Sequence, residues 1–189
     1  MAAPAVMTTL ISPLEYLRRE ILARNKSEYI DGVVCEMASA ARGHTRLTKN
    51  LHDILYRTLG DGPCENSDQD VKVWIAARRI YYYPDATIAC PPNFIDDANG
   101  VVDNPIVVVE VLSPSTPSMD RGPKFADYRT LDSLRDYVLV ESEARRVEVI
   151  SLEDGEWRTR RYEEGTALLP SVGVEIVLDE LYRRVPLDR

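Results

Sequence analysis

Two acidic residues interrupt strand-like runs that are otherwise apolar or aromatic. Asp85 stands in residues 79–88, RIYYYPDATI, and Glu110 stands in residues 105–112, PIVVVEVL. A strand this apolar is normally buried, and a buried carboxylate is costly unless it is paired or holds a metal. Two such carboxylates on neighbouring strands repel each other unless a cation lies between them. A lysine, Lys124, follows on a segment with helical character, and Tyr128 four residues later shares its face. Magnesium takes oxygen ligands, keeps several waters, and needs only one or two protein carboxylates. Asp85 and Glu110 therefore read as ligands of Mg2+, with Mn2+ as a substitute. Such an ion acidifies a bound water and neutralises charge developing on a phosphodiester. An ammonium beside it supplies a positive point charge for the water or for the transition state.

Glu28 and Glu36 are acids of a predicted hairpin, where either can flank the turn on the exposed side or turn inward. His44 opens a predicted helix and is a candidate substrate-phosphate group, while His52 reads as surface. Tyr128 is a candidate substrate-binding residue that more naturally packs or hydrogen-bonds a carboxylate. Residues 81–83, three tyrosines in a row, suggest a base-stacking platform. Alternate strand residues face opposite sides, however, so at least one ring belongs to the core.

The elements that must position these groups are legible from punctuation and periodicity. Ser12 caps a helix with Pro13 at its first position, and Leu14, Leu17, Ile21 and Leu22 follow at helical spacing. Asp31-Gly32 marks a tight turn between two short strands over residues 28–37. Residues 42–59 form a second helix with Leu47, Leu51, Ile54, Leu55 and Leu59 as its apolar stripe. A strand covers residues 71–75. Residues 91–104 read as a polar loop, with Asp96, Asp97 and Asp103 as solvation. Thr116 and Pro117 open the helix of Lys124, and strands follow at residues 137–140, 147–151, 157–162 and 174–177, then a closing helix from Leu178.

The expected fold class is α/β or mixed α+β with a mixed β-sheet, in one domain over residues 1–189. At 189 residues the chain can bury a substantial core. No stretch approaches a membrane span and the N-terminus lacks signal-peptide character, so a cytoplasmic protein without membrane contact is expected. Cys35, Cys64 and Cys90 have no paired spacing, so a disulfide is not expected and each reads as a small buried hydrophobe. There is no G-x-G-x-x-G or P-loop. With 31 acidic against 23 basic residues, the net charge of −8 excludes a protein that coats nucleic acid through a broad positive field. Local basic patches remain: Arg18, Arg19, Arg24 and Lys26; Arg42, Arg46 and Lys49; Arg78 and Arg79.

The strings Tyr83-Pro84-Asp85 and Glu110-Val111-Leu112-Ser113-Pro114-Ser115-Thr116, followed by Lys124 and Tyr128, resemble the PD-(D/E)XK nuclease signature. More narrowly, they resemble the Uma-two family of restriction-endonuclease-like proteins, and the resemblance extends over most of the chain. It implies a restriction-endonuclease-like fold, a central mixed β-sheet flanked by helices, and a metal-dependent nuclease site with Asp85 and Glu110 as ligands, Glu28 as an added acid and DNA as the partner. The wider superfamily carries its lysine two residues after the glutamate, where this chain has Leu112; the family pattern puts it on the next helix, at Lys124. The implied function is a magnesium-dependent endonuclease cutting phosphodiester bonds in DNA. The alternatives are a nuclease fold kept as a non-catalytic binding or scaffold protein, which the acidic charge and displaced lysine suit, and a metal-dependent hydrolase of a small phosphorylated substrate. A homodimer is a further expectation, with Val101, Val102, Leu178, Leu181, Tyr182 and Val185 able to line an interface or to pack on their own core.

Overall fold

A computed structural model describes residues 10–113 and 117–187. Thr116, the expected helix cap, lies outside them. The element order is α1 (Pro13–Glu20), β1 (Ser27–Ile30), β2 (Val33–Glu36), α2 (Arg42–Leu59), β3 (Glu65–Asp68), β4 (Lys72–Ile75), β5 (Ile80–Tyr82), β6 (Ala86–Ala89), β7 (Phe94–Asp96), β8 (Val101–Val102) and β9 (Val107–Leu112). Then come α3 (Pro117–Met119), a π-helical turn (Asp120–Lys124), α4 (Phe125–Tyr128), β10 (Asp136–Glu141), β11 (Val147–Glu153), β12 (Glu156–Tyr162), β13 (Thr166–Leu169), β14 (Val174–Val177) and α5 (Leu178–Leu181).

The main sheet has the order β12-β11-β10-β9-β6-β3. It is mixed, because β9 and β10 run parallel while its other pairs are antiparallel. A second sheet has the order β2-β1-β5-β4-β8-β7, and β13 and β14 form a hairpin of their own. One face of the main sheet packs on α2, the β13–β14 hairpin and α5 through Leu47, Leu51, Val109, Val111, Ile176 and Leu181. Its other face meets the second sheet and the α3–α4 helix through Val108, Leu112, Tyr128 and Tyr137 against Val73, Ile75 and Tyr82. The outer side of the second sheet is covered by α1, whose Tyr16 and Leu17 pack on Tyr29 and Tyr81. Mixed α+β architecture is thus what the strand and helix patterns predict.

Local signals account for most boundaries. The Ser12 side chain accepts a hydrogen bond from Glu15 N, so the cap of α1 is as predicted. Asp31 and Gly32 both take positive φ, 42° and 99°, which is the twist a two-residue hairpin turn requires. No helix among the described residues is long and apolar enough to cross a membrane.

Several expectations are corrected. Residues 79–88 are not one strand: Pro84 offers no N–H to a ladder, and the run splits into β5 of the second sheet and β6 of the main one. The 91–104 loop contains the β7–β8 hairpin, and Asp96 accepts hydrogen bonds from the Asn99 backbone and amide groups. Two strands lie outside the expected set: the polar β3, which is held by its ladder to β6, and the short β13, whose Ala167 and Leu169 alternate into the core beside β14. In α1 only Leu17 of the predicted stripe is buried; Leu14, Ile21 and Leu22 are exposed, and Tyr16 takes the inward place. Tyr81, Tyr82 and Tyr83 are all buried, since the strand is covered on both sides, so they offer no stacking platform. Val101, Val102, Leu178, Leu181 and Tyr182 are buried in the protein's own core, and Val185 packs against it, which removes the surface argued for a dimer. Cys64 and Cys90 form a disulfide, because the antiparallel pairing of β3 and β6 sets them opposite each other one step beyond the Glu65–Ala89 pair. Cys35 is exposed rather than buried.

Candidate active site

The antiparallel register of β6 and β9 pairs Ala86 with Val109, which makes Asp85 and Glu110 neighbours at the next step along the ladder. Both are buried. Asp85 Oδ2 accepts a hydrogen bond of 2.7 Å from the Val111 backbone N–H and lies 3.2 Å from His44 Nε2. Glu110 shares a face with Val108 and Leu112, so it points toward the α3–α4 helix and the second sheet.

From that helix, Lys124 Nζ donates to Glu28 Oε1 at 2.9 Å and to Glu110 Oε1 at 3.5 Å, and stands 3.6 Å from Asp120 Oδ1. Tyr128 donates to Glu110 Oε1 at 3.4 Å. Lys124 also lies over the Tyr82 ring, 5.1 Å from its centroid. Glu28 reaches the lysine because the alternation of β1 buries Ser27 and Tyr29 on one face and turns Glu28 toward the interior between the sheets. Leu112, at the position where the wider superfamily has its lysine, is packed in the core beside Tyr128. The amine therefore comes from the helix, through the wider π-helical turn over residues 120–124.

Six residues singled out from the sequence are thus brought together: Glu28, His44, Asp85, Glu110, Lys124 and Tyr128. Glu36 is exposed on β2 and accepts from Asn25, so it is not part of the cluster. Two residues escaped sequence reasoning. Asp120 is buried beside Lys124, and its signal was present: Asp120, Lys124 and Tyr128 recur at four-residue spacing on one helical face. His52 is not a surface residue. Its Nε2–H donates to the Asp85 backbone carbonyl at 2.9 Å, and its Nδ1 accepts from Asn66 Nδ2 at 3.1 Å, so the network fixes its tautomer. Its eight-residue offset from His44, with Thr48 between them bonded to His44, put all three on one side of α2.

The electrostatics follow from burial and crowding. Burial pushes the Glu110 carboxyl well above the usual carboxylate range; Lys124 opposes that, while Asp120, Asp85 and Glu28 add to it. Burial disfavours the Lys124 ammonium, but Glu110, Glu28 and Asp120 outweigh it and raise its proton affinity. The lysine is therefore a fixed positive charge and not a base. Burial also works against a charged His44, yet the bond to Asp85 and the Asp85 and Asp120 charges raise its pKa above 6.5. Burial holds the Tyr128 phenol far above its ordinary value, so it acts only as a donor.

Three carboxylates, Glu28, Glu110 and Asp120, surround Lys124, and Asp85 stands next to Glu110 with His44 against it. This is an excess of hard oxygen donors over positive charge, the donor chemistry of a divalent cation. Among the described residues, no group of three or more His, Cys, Asp or Glu side chains is placed to hold a metal ion. A magnesium-type ion held by Asp85 and Glu110, with water completing its shell, needs no third protein ligand. The residues fit that ion and not a closed structural zinc.

A family model described as "Uma2: Putative restriction endonuclease" matches residues 13–179. The chain belongs to the Uma2 family. Two similar proteins from Synechocystis sp. (strain ATCC 27184 / PCC 6803 / Kazusa) carry the names "Uncharacterized protein sll1609" and "Uncharacterized protein slr1290". The first is 40% identical over 142 residues, 75% of this chain and 80% of its own. The second is 33% identical over 183 residues, 96% of each chain. A crystal structure of "a putative nuclease belonging to DUF820 from Anabaena variabilis ATCC 29413" matches with a TM-score of 0.70 and 16% identity, covering 91% of this chain and 97% of that one. At that identity it speaks for the fold, which is restriction-endonuclease-like. Uma2 membership and fold together make this a nuclease-type protein.

Proposed function

We propose that this Uma2 protein is a metal-dependent endonuclease that hydrolyses phosphodiester bonds in DNA, with Asp85 and Glu110 holding a magnesium or manganese ion. The observation that carries the reading is the buried cluster in which Glu110 is crowded by Asp85, Glu28 and Asp120 and answered only by Lys124. A purely structural ion pair needs one acid per base; Lys124 meets three, with Asp85 beside the same Glu110, and a fold does not keep such an excess of buried acid for stability.

When bound, the ion would polarise the scissile phosphate and acidify the attacking water. The remaining roles fall to the chain. Lys124, locked in its charged form, sets a positive charge beside Glu110 to orient the water and to balance charge on the non-bridging oxygens. Glu28 and Asp120 are positioning residues, since they fix that ammonium. The Val111 N–H and the His52–carbonyl bond hold Asp85 from both its side chain and its backbone. His44, when charged, offers a donor to substrate phosphate next to Asp85. Tyr128 orients the Glu110 carboxylate.

Purified protein incubated with supercoiled plasmid and magnesium or manganese should nick it. Asp85→Ala should lower the rate by at least about a hundredfold, the scale at which loss of one transition-state-stabilising group is felt. Cleavage that persists in Asp85→Ala would remove the assignment. Failure to take up either ion at millimolar concentration in calorimetry would favour a binding or scaffold role instead.

A further inference from the structure

The helix α2 presents two working faces. His44, Thr48 and His52 line the one toward Asp85. Arg46 and Asn50 lie on another, toward the segment that follows α5. Asn50 Nδ2 donates to the carbonyls of Leu181 at 2.8 Å and Arg183 at 3.0 Å, tying that segment to the helix. The chain then turns at Arg184, which holds φ at 61°, a conformation that non-glycine residues adopt at a cost of roughly 1 kcal/mol or more. As a result Arg46, Asn50, Arg183 and Arg184 line one cleft.

What marks this cleft is that three arginines without countercharge line it together. Other arginines are matched with acids: Arg57 with Glu180, Arg145 with Asp179, Arg146 with Glu163, Arg121 with Glu148. Both acids of α5 are thereby paired with arginines that do not line the cleft. Arg18, Arg24 and Arg42 have no such partner among the described residues, but none of them lines the cleft. Among the described residues, no carboxylate is within ion-pair distance of Arg46, Arg183 or Arg184. In a chain with 31 acidic and 23 basic residues, three guanidinium-bearing residues gathered without an acid is not scattered solubilising charge. Like charges at such a cleft repel each other, and an anion converts that repulsion into attraction. Guanidinium forks match phosphate oxygens in pairs, and the Asn50 amide is already committed to the backbone.

The cleft is coupled to the site by position. Arg46 is two residues from His44 on the same rigid helix, and an α-helix is about 10 Å across with its side chains. A nucleic-acid strand covers that distance in about three nucleotides at roughly 3.4 Å of axial rise each. We propose that the Arg46–Arg183–Arg184 cleft holds a backbone phosphate of the nucleic-acid strand whose scissile bond lies at Asp85 and Glu110. This rests on the nuclease reading above for the identity of the strand, and it explains how an acidic protein takes a polyanion: through a short, uncompensated arginine track and not through its overall field.

The test is fluorescence anisotropy of a labelled DNA duplex with the full chain, in calcium and over a range of salt. The arginines of the cleft are partly or largely exposed, so Arg46→Gln/Arg184→Gln should keep the wild-type thermal midpoint. That double variant should bind about tenfold more weakly, the scale of losing charge-assisted hydrogen bonds. Its slope of log K against log salt should flatten by about 0.9 for each phosphate that the arginines no longer neutralise. Arg24→Gln, an exposed arginine outside the cleft, should change neither. An unchanged affinity and slope in the double variant overturns the proposal. So does loss of inorganic-phosphate binding in the double variant with duplex binding intact, which would make the cleft a site for free phosphate. Nicking assays separate this from the nuclease reading. A duplex that binds through the cleft but is never cut leaves the track standing and removes the nuclease. Asp85-dependent cutting with an unchanged salt slope does the reverse.

Discussion

Glu110 and Glu148 lie in one row of the main sheet: both are in register with Leu139, one from β9 and one from β11. Residues directly opposite one another face the same side, so the two glutamates project from the same face, and each is 4% exposed. Their proton affinities nevertheless move in opposite directions. Glu110 is raised by burial and by three neighbouring acids against one lysine. Glu148 also suffers burial, but the bonds from Arg121 and Arg161 outweigh it and hold its carboxyl below the usual range. The π-helical turn serves both, sending Asp120 and Lys124 to one glutamate and Arg121 to the other. Burial of an acid is thus no sign of function; the balance of charge around it is. Glu148 sits in a satisfied ion cluster with Arg121, Arg161 and, through Arg121, Glu141. Glu110 sits in a cluster with acid left over.

Activity should separate the two most sharply. Glu110→Gln should reduce metal-dependent nicking by about a hundredfold or more, whereas Glu148→Gln should leave the rate per folded molecule close to wild type. Equal losses in both variants, measured at a temperature where both are folded, would break the distinction. Stability should show the opposite order. Glu148→Gln strips two arginines of their shared partner and should cost about 1–3 kcal/mol in urea unfolding, the lower end applying if the half-exposed arginines rehydrate. Glu110→Gln relieves the crowding of three acids on Lys124 and keeps an amide oxygen that can accept from Tyr128, so it should be neutral or stabilising in metal-free buffer at pH 7.

The pH dependence has a definite sign for each. Glu148 has a depressed folded pKa, so its contribution to stability is present above its unfolded value of 4.5 and is lost as pH falls through the folded value. Glu110 has a raised folded pKa, so its contribution is full below 4.5 and is lost as pH rises through the folded value. Urea midpoints of the two glutamine variants, followed from pH 4 to pH 8 against wild type, should therefore diverge in opposite directions. The smallest effect belongs to His44. Its pKa lies above 6.5, so its pairing with Asp85 is complete below that value and fades as pH rises through the folded pKa. Apparent metal affinity should accordingly gain a shallow pH dependence in this range that His44→Gln abolishes, as read by calorimetry.

Much of this was written in the chain. The register of α2 over residues 42–59, the Ser12 cap and the Asp31-Gly32 turn follow from short-range chemistry that acts within a few residues. The acid positions were legible for the same reason: a carboxylate in a run such as VVVEVL has no solvated alternative, so it must be explained. Lys124 and Tyr128 shared a face by spacing alone, and Asp120 could have been added by the same count. His52 could not be read as a second support for Asp85, because the Asp85 carbonyl it bonds belongs to a strand paired far along the chain. Glu148 shows the reverse difficulty. Its run, VEVIS, looks much like that of Glu110, and nothing local reveals that two arginines from other segments neutralise it.

Local interactions and hydropathy, which depend only on near neighbours, determined where helices, turns and buried acids fall in this protein. Which acids end with too much negative charge around them, which cysteines meet, and which arginines are left without a partner were decided by strand pairing and packing. Coulomb energy depends on distance through space, and only the folded chain sets those distances.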